Sequence, residues 1–439
     1  MRLVSVRGVA GSMVPWCATL AVLGLLLMMG MSSPFAGITA IGMAAMILLL
    51  VCFDLTQTGT LLVTLAMVLA PMNDLRLGSS YATVSDLVFV LGFGVLTPTL
   101  FRRSIKMPVL FLAGLAIVFA MGIIASVAAP IPIVSASQLG RLVVGAFFLP
   151  IFMMVWRPPT AAIVRFAAAY IFGSVISVFW GLLQGPVDGD ARYVGLTYHP
   201  NFFGLSCLLA ASLVPYVVSL VSPNVRWIFW LAGLIASYGV YLSGSRAALL
   251  VLIMIIAIYP FVERSIRAVG FVMLGVAGVL AFAGKLLQED GNSAIGRLFG
   301  GGTATGSDLD RKQKLSEAWH QFLAHPLLGN GFDGGLGSHN IYLQVAVAVG
   351  IFGLVGYVMI LWSAIRPLFW SGTAHRLAYP VLGYATVGPL TNMLWERLIW
   401  AVIALCLVAN LDGPGSDDDD DDNTDSESTD SLADLGTPR

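Results

Sequence analysis

Residues 337–344 read Gly337-Ser338-His339-Asn340-Ile341-Tyr342-Leu343-Gln344, and from Ile341 an almost unbroken apolar run continues to about Ile365. Roughly 20 helical residues cross the ~30 Å hydrocarbon core of a bilayer, and lipid offers no partner for a free backbone N–H or C=O, so such a run is a membrane helix. On its N-terminal side lies a long polar stretch, from Lys285 to Ser338, and beyond that stretch the chain is apolar again. This polar-to-apolar switch sets the fold class: an all-α, polytopic integral membrane protein with one long external loop.

Composition agrees. Of 439 residues 58% are hydrophobic and only 11% are Asp, Glu, Lys or Arg, with a mean hydropathy of +0.87, outside the range of soluble domains. Four regions follow: transmembrane helices over 1–284, the external loop 285–338 with an amphipathic helix, further transmembrane helices over 339–411, and an acidic tail, 412–439. The tail carries the unbroken Asp417–Asp422 run among Ser and Thr and is expected to be disordered, because it cannot bury enough apolar area to fold. Without it the chain is net basic. No basic helix or aromatic-basic platform accompanies those charges, so nucleic acid is not an expected partner. Cys17, Cys52, Cys207 and Cys406 fall in apolar runs without metal-ligand spacing and read as packing residues. The first apolar stretch, flanked by Arg2 and Arg7, reads as a retained helix rather than a signal peptide.

Expected spans are 14–31, 35–53, 57–71, 83–100, 108–128, 138–156, 160–183, 199–221, 227–243, 246–262, 268–284 and 339–365, followed by short ones at 377–389 and 399–409 that also read as one broken helix. The total is about 12 to 14. With Met1 in the cytoplasm, Arg2, Arg7, Arg102, Arg103, Lys106, Arg157, Arg165, Arg226, Arg264, Arg267, Arg366 and Arg376 lie inside. The short outer segments hold only Arg76, Arg192, Arg246 and Arg397, with Arg141 near an outer boundary, which is the direction of the positive-inside rule. The polar segments 184–201, 243–246, 285–340 and 390–397 then share the outer surface. An even count of fourteen returns the tail to the cytoplasm.

Few polar residues remain on which chemistry can rest. Arg246 sits in the notch Ser243-Gly244-Ser245-Arg246; it reads as a charged hairpin tip or, by its planar five-donor fork, as a phosphate ligand. His199 precedes Pro200 at the mouth of a span and suits a helix cap, while Arg192, in the same outer loop, reads as either a ligand-reaching or a solubilising charge. Gly300–Ser307 is Gly-rich, lacks the Lys of a phosphate-binding loop and is expected to be flexible. From Arg311 to Leu323 the spacing of Leu315, Ala318, Trp319, Phe322 and Leu323 predicts an amphipathic helix at the bilayer interface, with Arg311 in its first turn. His325-Pro326-Leu327-Leu328-Gly329-Asn330-Gly331 is a Gly-punctuated turn. His339 offers an imidazole at the head of a membrane helix that Asn340 can cap, and no compact His, Cys and carboxylate set suggests zinc.

Taken in order, Ser243-Gly244-Ser245-Arg246, Arg311 ahead of Trp319, His325-Pro326-Leu327-Leu328-Gly329-Asn330-Gly331 and His339-Asn340-Ile341-Tyr342-Leu343 resemble the O-antigen ligase and polymerase superfamily of membrane glycosyltransferases. The motif-bearing part covers about 190–365. The resemblance implies a GT-C-like helical bundle in the bacterial plasma membrane that transfers a glycan from undecaprenyl diphosphate at the outer face, without a nucleotide sugar, metal or other cofactor. It assigns Arg246 and a loop arginine, Arg311 or its competitor Arg297, to the diphosphate, and His339 to the acceptor, with Asn340 beside it; Arg192 and His199, which have no equally firm counterpart in the family, are candidate substrate contacts by their place in the outer loop. Expected partners are the lipid-linked donor, a saccharide or lipid-linked acceptor, the bilayer and other polysaccharide-assembly proteins. The specific activity expected is a polymerase, the alternatives being a ligase acting on lipid A-core or a protein, and a transporter of a lipid-linked sugar.

Overall fold

The computed structural model describes residues 52–76, 82–102, 105–187, 192–286, 294–298, 304–332 and 337–411. The span expected at 14–31, nearly all of that at 35–53, and the acidic tail lie outside them. The chain divides into two compact units, residues 1–63 with 88–100, and residues 64–87 with 101–439. In the first, Phe89 and Phe93 stack at 5.8 Å, and Cys52, expected to pack, is exposed.

Every expected span within the described residues is helical. They are α1 (Leu55–Leu69), α2 (Val84–Leu96), α3 (Val109–Ala128), α4 (Pro132–Trp156), α5 (Thr160–Gln184), α6 (Pro200–Leu220), α7 (Arg226–Leu242), α8 (Arg246–Val262), α9 (Ile266–Leu286), α12 (Ile341–Ile365), α13 (Ala378–Val387) and α14 (Arg397–Ala409). Two more, α10 (Ala294–Leu298) and α11 (Ala304–Ala324), lie in the polar loop 285–338. Among the described residues six apolar segments, Val109–Ala128, Pro132–Trp156, Thr160–Gln184, Pro200–Leu220, Pro223–Leu242 and Ile341–Phe369, are long enough to cross a bilayer. The protein is thus an all-α, multi-pass membrane protein, and among the described residues it has no sheet, only two isolated bridges. Pro215 sits inside α6 without ending it, and Pro150 follows a π-helical stretch, Val143–Phe148, within α4, because neighbouring turns absorb the missing donor.

Helix α6 is the most enclosed of these segments, packed between α5, α7 and α13. Helices α3 and α12 run along each other closely enough for Gly114 to meet the backbone of Gly356, where a Cβ would stand 2.5 Å from the Gly356 oxygen. At the end assigned to the cytoplasm, Glu263 joins α8 to the α13 side: Arg376 Nε lies 3.0 Å and His375 Nε2 3.0 Å from its carboxylate. Burial pushes the Glu263 carboxyl up, but the hydrogen bonds from His375 and Arg376 prevail and hold it at about 2.

The polar loop 285–338 departs from its expected form in two ways. Helix α11 begins at Ala304, inside the stretch read as flexible, so Arg311 is well inside the helix and not in its first turn. Its apolar stripe is also divided. Ala318 is buried against Leu343 and Val347 of α12, with Phe322 beside them, while Leu315, Trp319 and Leu323 stay exposed, as a helix lying on a bilayer surface requires.

Helix α12 is broken where its sequence gave no warning beyond a glycine. Gly350 has φ +70°, and the carbonyls freed by the break are taken by the Gly-punctuated turn. Asn330 N–H donates to Val347 O (2.8 Å), Gly331 N–H to Ala348 O (3.0 Å), and Ile351 N–H to Pro326 O (2.9 Å). A Cβ on Gly350 would run into the Leu327 carbonyl. The motif from His325 to Gly331 is therefore a backbone splice that fixes the polar loop to α12. Phe332, which follows it, is fully buried against Trp395.

Candidate functional site

Four arginines from four separate segments line one small cavity of about 20 Å³: Arg192 before α6, Arg246 at the first turn of α8, Arg297 in α10 and Arg311 in α11. Each is held differently. Arg192 is buried, donating from Nε to Ser243 O (2.8 Å) and from Nη2 to Asn201 Oδ1 (2.8 Å). It is a fixed part of the wall, not the exposed solubilising charge. Arg246 follows the turn at Gly244 (φ +63°), and Ser245 caps α8 by accepting from Ala248 N–H (3.4 Å). Ser243 closes that turn, its Oγ accepting from Ser245 N–H at 3.1 Å. The Ser-Gly-Ser-Arg run thus sets where the guanidinium enters the cavity.

Arg297 and Arg311, which compete for one role on sequence grounds, both reach the cavity. Arg297 is buried, and Arg311 is partly exposed with a buried Nε that no described residue accepts from. Between Arg246 and Arg311 lies a carboxylate that the sequence reading passed over. Asp308 takes both terminal nitrogens of Arg246, Nη1 donating to its Oδ2 at 3.1 Å, and stands 4.0 Å from Arg311 Nη1. The Arg246 hydrogen bond, ahead of burial, holds its carboxyl below the usual range. Burial and the charge of Arg246 both push the Arg311 guanidinium downward. Two unit charges ~4 Å apart repel by about 4 kcal/mol at an effective dielectric of ~20, so one carboxylate among four guanidiniums leaves the cavity strongly attractive to an anion.

His339 does not line this cavity, but it is near enough to Arg311 and Lys314 for their charges to act on it. Its backbone is left-handed (φ +51°), an uncommon conformation for a residue with a side chain. Ser338 and Asn340 hold it: Ser338 Oγ donates to Asn340 O (3.0 Å), and Asn340 Oδ1 caps α12 by accepting from Leu343 N–H (3.1 Å). Burial, then the charges of Arg311 and Lys314, lower the His339 pKa, so the ring is neutral at pH 7 and can accept a proton.

His199 is the cap that its position suggests. Its Nδ1 accepts from Asn201 N–H (3.1 Å), and it does not line the cavity. Its contribution is to fix the first turn of α6, from which Asn201 holds Arg192. Asn340 likewise caps without lining the cavity. Of the arginines expected on the short outer segments, Arg192 and Arg246 line this cavity and Arg76, with the boundary residue Arg141, lines a neighbouring one, whereas Arg397 lines neither and pairs with Asp86. Asn201 and Thr391, which line the arginine cavity, and Asp308, which pairs with Arg246, are the residues the sequence reading missed. A signal for Asp308 was present in its i, i+3 spacing to Arg311.

No curated protein matches the chain significantly. Residues 231–358, which run from α7 through α8, the Arg297 and Arg311 helices and most of α12, match the family model described as O-antigen ligase.

Proposed function

We propose that this protein transfers a glycan from undecaprenyl diphosphate to a hydroxyl of an acceptor at the outer face of the bacterial inner membrane. The match of residues 231–358 to the O-antigen ligase model supports a glycan-transferring role and favours a ligase over the polymerase expected from the sequence; the acceptor we propose for it is lipid A-core. The observation that carries the reading is the convergence of Arg192, Arg246, Arg297 and Arg311 on one cavity beside His339.

The reaction is a direct displacement. The acceptor oxygen attacks the anomeric carbon while the bond from that carbon to the phosphate oxygen breaks, and the electron pair leaves with the lipid diphosphate. Arg246 and Arg311 meet the charge that develops there, in a site where little water screens them. His339 takes the acceptor proton, which its neutral ring allows. One displacement inverts the anomeric carbon. Asp308 occupies Arg246 until the diphosphate replaces it.

The test is reconstitution of the full chain in proteoliposomes with a defined polyprenyl-diphosphate glycan and, separately, lipid A-core and a second lipid-linked repeat. Product with lipid A-core supports a ligase, and growth of the lipid-linked glycan alone supports a polymerase. Movement of unchanged donor across the bilayer without product would make it a transporter and end the transfer reading.

A further inference from the structure

A second cavity, about 210 Å³, lies behind the wall of the first. The connection between α13 and α14 separates them: Thr391 and Met393 line the arginine cavity, whereas Asn392, Trp395 and Glu396 line the other. The start of α6 divides in the same way, Asn201 facing the first and Phe202 the second. Apart from Gln344, the residues of this second cavity lie outside the segment matched by the family model.

Its chemistry differs from that of its neighbour. Both guanidiniums at its edge are engaged with rings, Arg76 over Tyr198 at 4.2 Å and Arg141 over Trp395 at 5.6 Å. A carboxylate, Glu396, sits between them, accepting from Asn73 Nδ2 (3.2 Å) and approached by the Tyr198 hydroxyl (3.5 Å). Two amide oxygens are buried and take no hydrogen bond from any described residue: Asn73 Oδ1, on a side chain 4% exposed, and Gln344 Oε1, on one 1% exposed. Burying such an oxygen without a donor costs about 1–3 kcal/mol, so the pair marks a place built for hydroxyl hydrogens. A phosphate would meet the Glu396 carboxylate, and an acyl chain would meet polar groups on nearly every side. A sugar ring fits: it donates and accepts around its edge and stacks a C–H face on an aromatic ring.

We propose that the cavity bounded by Asn73, Tyr198, Gln344, Trp395 and Glu396 is a saccharide subsite, which holds one sugar ring of a glycan substrate next to the diphosphate cavity. This rests on the transfer reading given above, but its test does not need turnover. Saturation-transfer difference NMR on the full chain in lipid nanodiscs, with the methyl glycosides of glucose, galactose and N-acetylglucosamine as probes, should show binding of at least one. Tyr198→Ala and Gln344→Leu should weaken that binding about three- to tenfold, the range of one lost polar or stacking contact. Tyr198→Phe should restore it, and Arg246→Ala, in the other cavity, should keep it. Tyr198 is 42% exposed and not part of the buried core, so its replacement leaves the core intact. In the reconstituted reaction the same variants should raise the KM of one substrate with little effect on kcat. A raised acceptor KM assigns the ring to the acceptor, and a raised donor KM to the donor. Absence of a difference signal from all three glycosides, or signals indifferent to Tyr198→Ala and Gln344→Leu, would overturn the subsite while leaving the transfer reading intact. Loss of turnover capacity altogether with glycoside binding preserved would do the reverse.

Discussion

Asp308 grips the Arg246 guanidinium through both carboxylate oxygens across 62 residues of chain, while standing 4.0 Å from Arg311. An internal anion therefore occupies the groups assigned to the diphosphate. Asp308→Asn should lower the donor KM, because the incoming phosphate no longer displaces a resident counter-ion. The pair is partly exposed, so the effect is that of ~0.2–1 kcal/mol, roughly up to fivefold. Donor titration in proteoliposomes measures it, and an unchanged or raised KM would show that Asp308 does not compete with the donor.

Arg246→Ala should reduce kcat by about 10²–10³, the usual loss of one charge-stabilising donor, with little change in protein abundance. Arg246→Lys should recover only part, since an ammonium cannot reproduce the two-pronged contact that Asp308 receives. Because the arginines supply the neutralising charge, turnover is expected to continue in the presence of a chelator. A rate that vanishes with chelation and returns with a divalent cation would contradict this account of the leaving group.

The pH profile should report on His339 with opposite signs for two neighbours. Turnover needs the neutral ring, so the rate falls as pH drops through the His339 pKa, which is held below its ordinary value. Lys314→Ala removes a charge that lowers this pKa, and the acidic limb should move to higher pH. Asp310→Asn removes one that raises it, and the limb should move to lower pH. His339→Asn should abolish the limb along with most activity, yet fold normally, because Asn tolerates the left-handed backbone found there. Parallel shifts of the same sign in Lys314→Ala and Asp310→Asn would remove His339 as the titrating group.

Gly350→Ala should destabilise the protein by at least ~1–3 kcal/mol, the cost of a side chain in the left-handed region, with the clash against the Leu327 carbonyl added. The turn from Pro326 to Gly331 would lose its seat, so limited proteolysis should cut the external loop sooner. A thermal melt in detergent equal to that of the parent would show that the splice carries no strain.

By itself the sequence determined the membrane fold. Hydropathy placed the described membrane helices within about six residues, since backbone groups in lipid leave no alternative to helix. It also picked out Arg192, Arg246, Arg297, Arg311 and His339, because charge in so apolar a chain is conspicuous. The caps at His199 and Asn340 were legible for a local reason, the Pro200 and apolar runs that follow them. Tertiary structure alone decided what those residues face. That Arg297 and Arg311 share one cavity, that Asp308 bridges two arginines, that Glu396 meets Asn73, and that a turn splices into α12 at Gly350 all depend on contacts between segments far apart in the chain. Hydropathy is a property of each stretch alone, whereas an ion pair, a shared wall or a borrowed hydrogen bond exists only once the helices have packed.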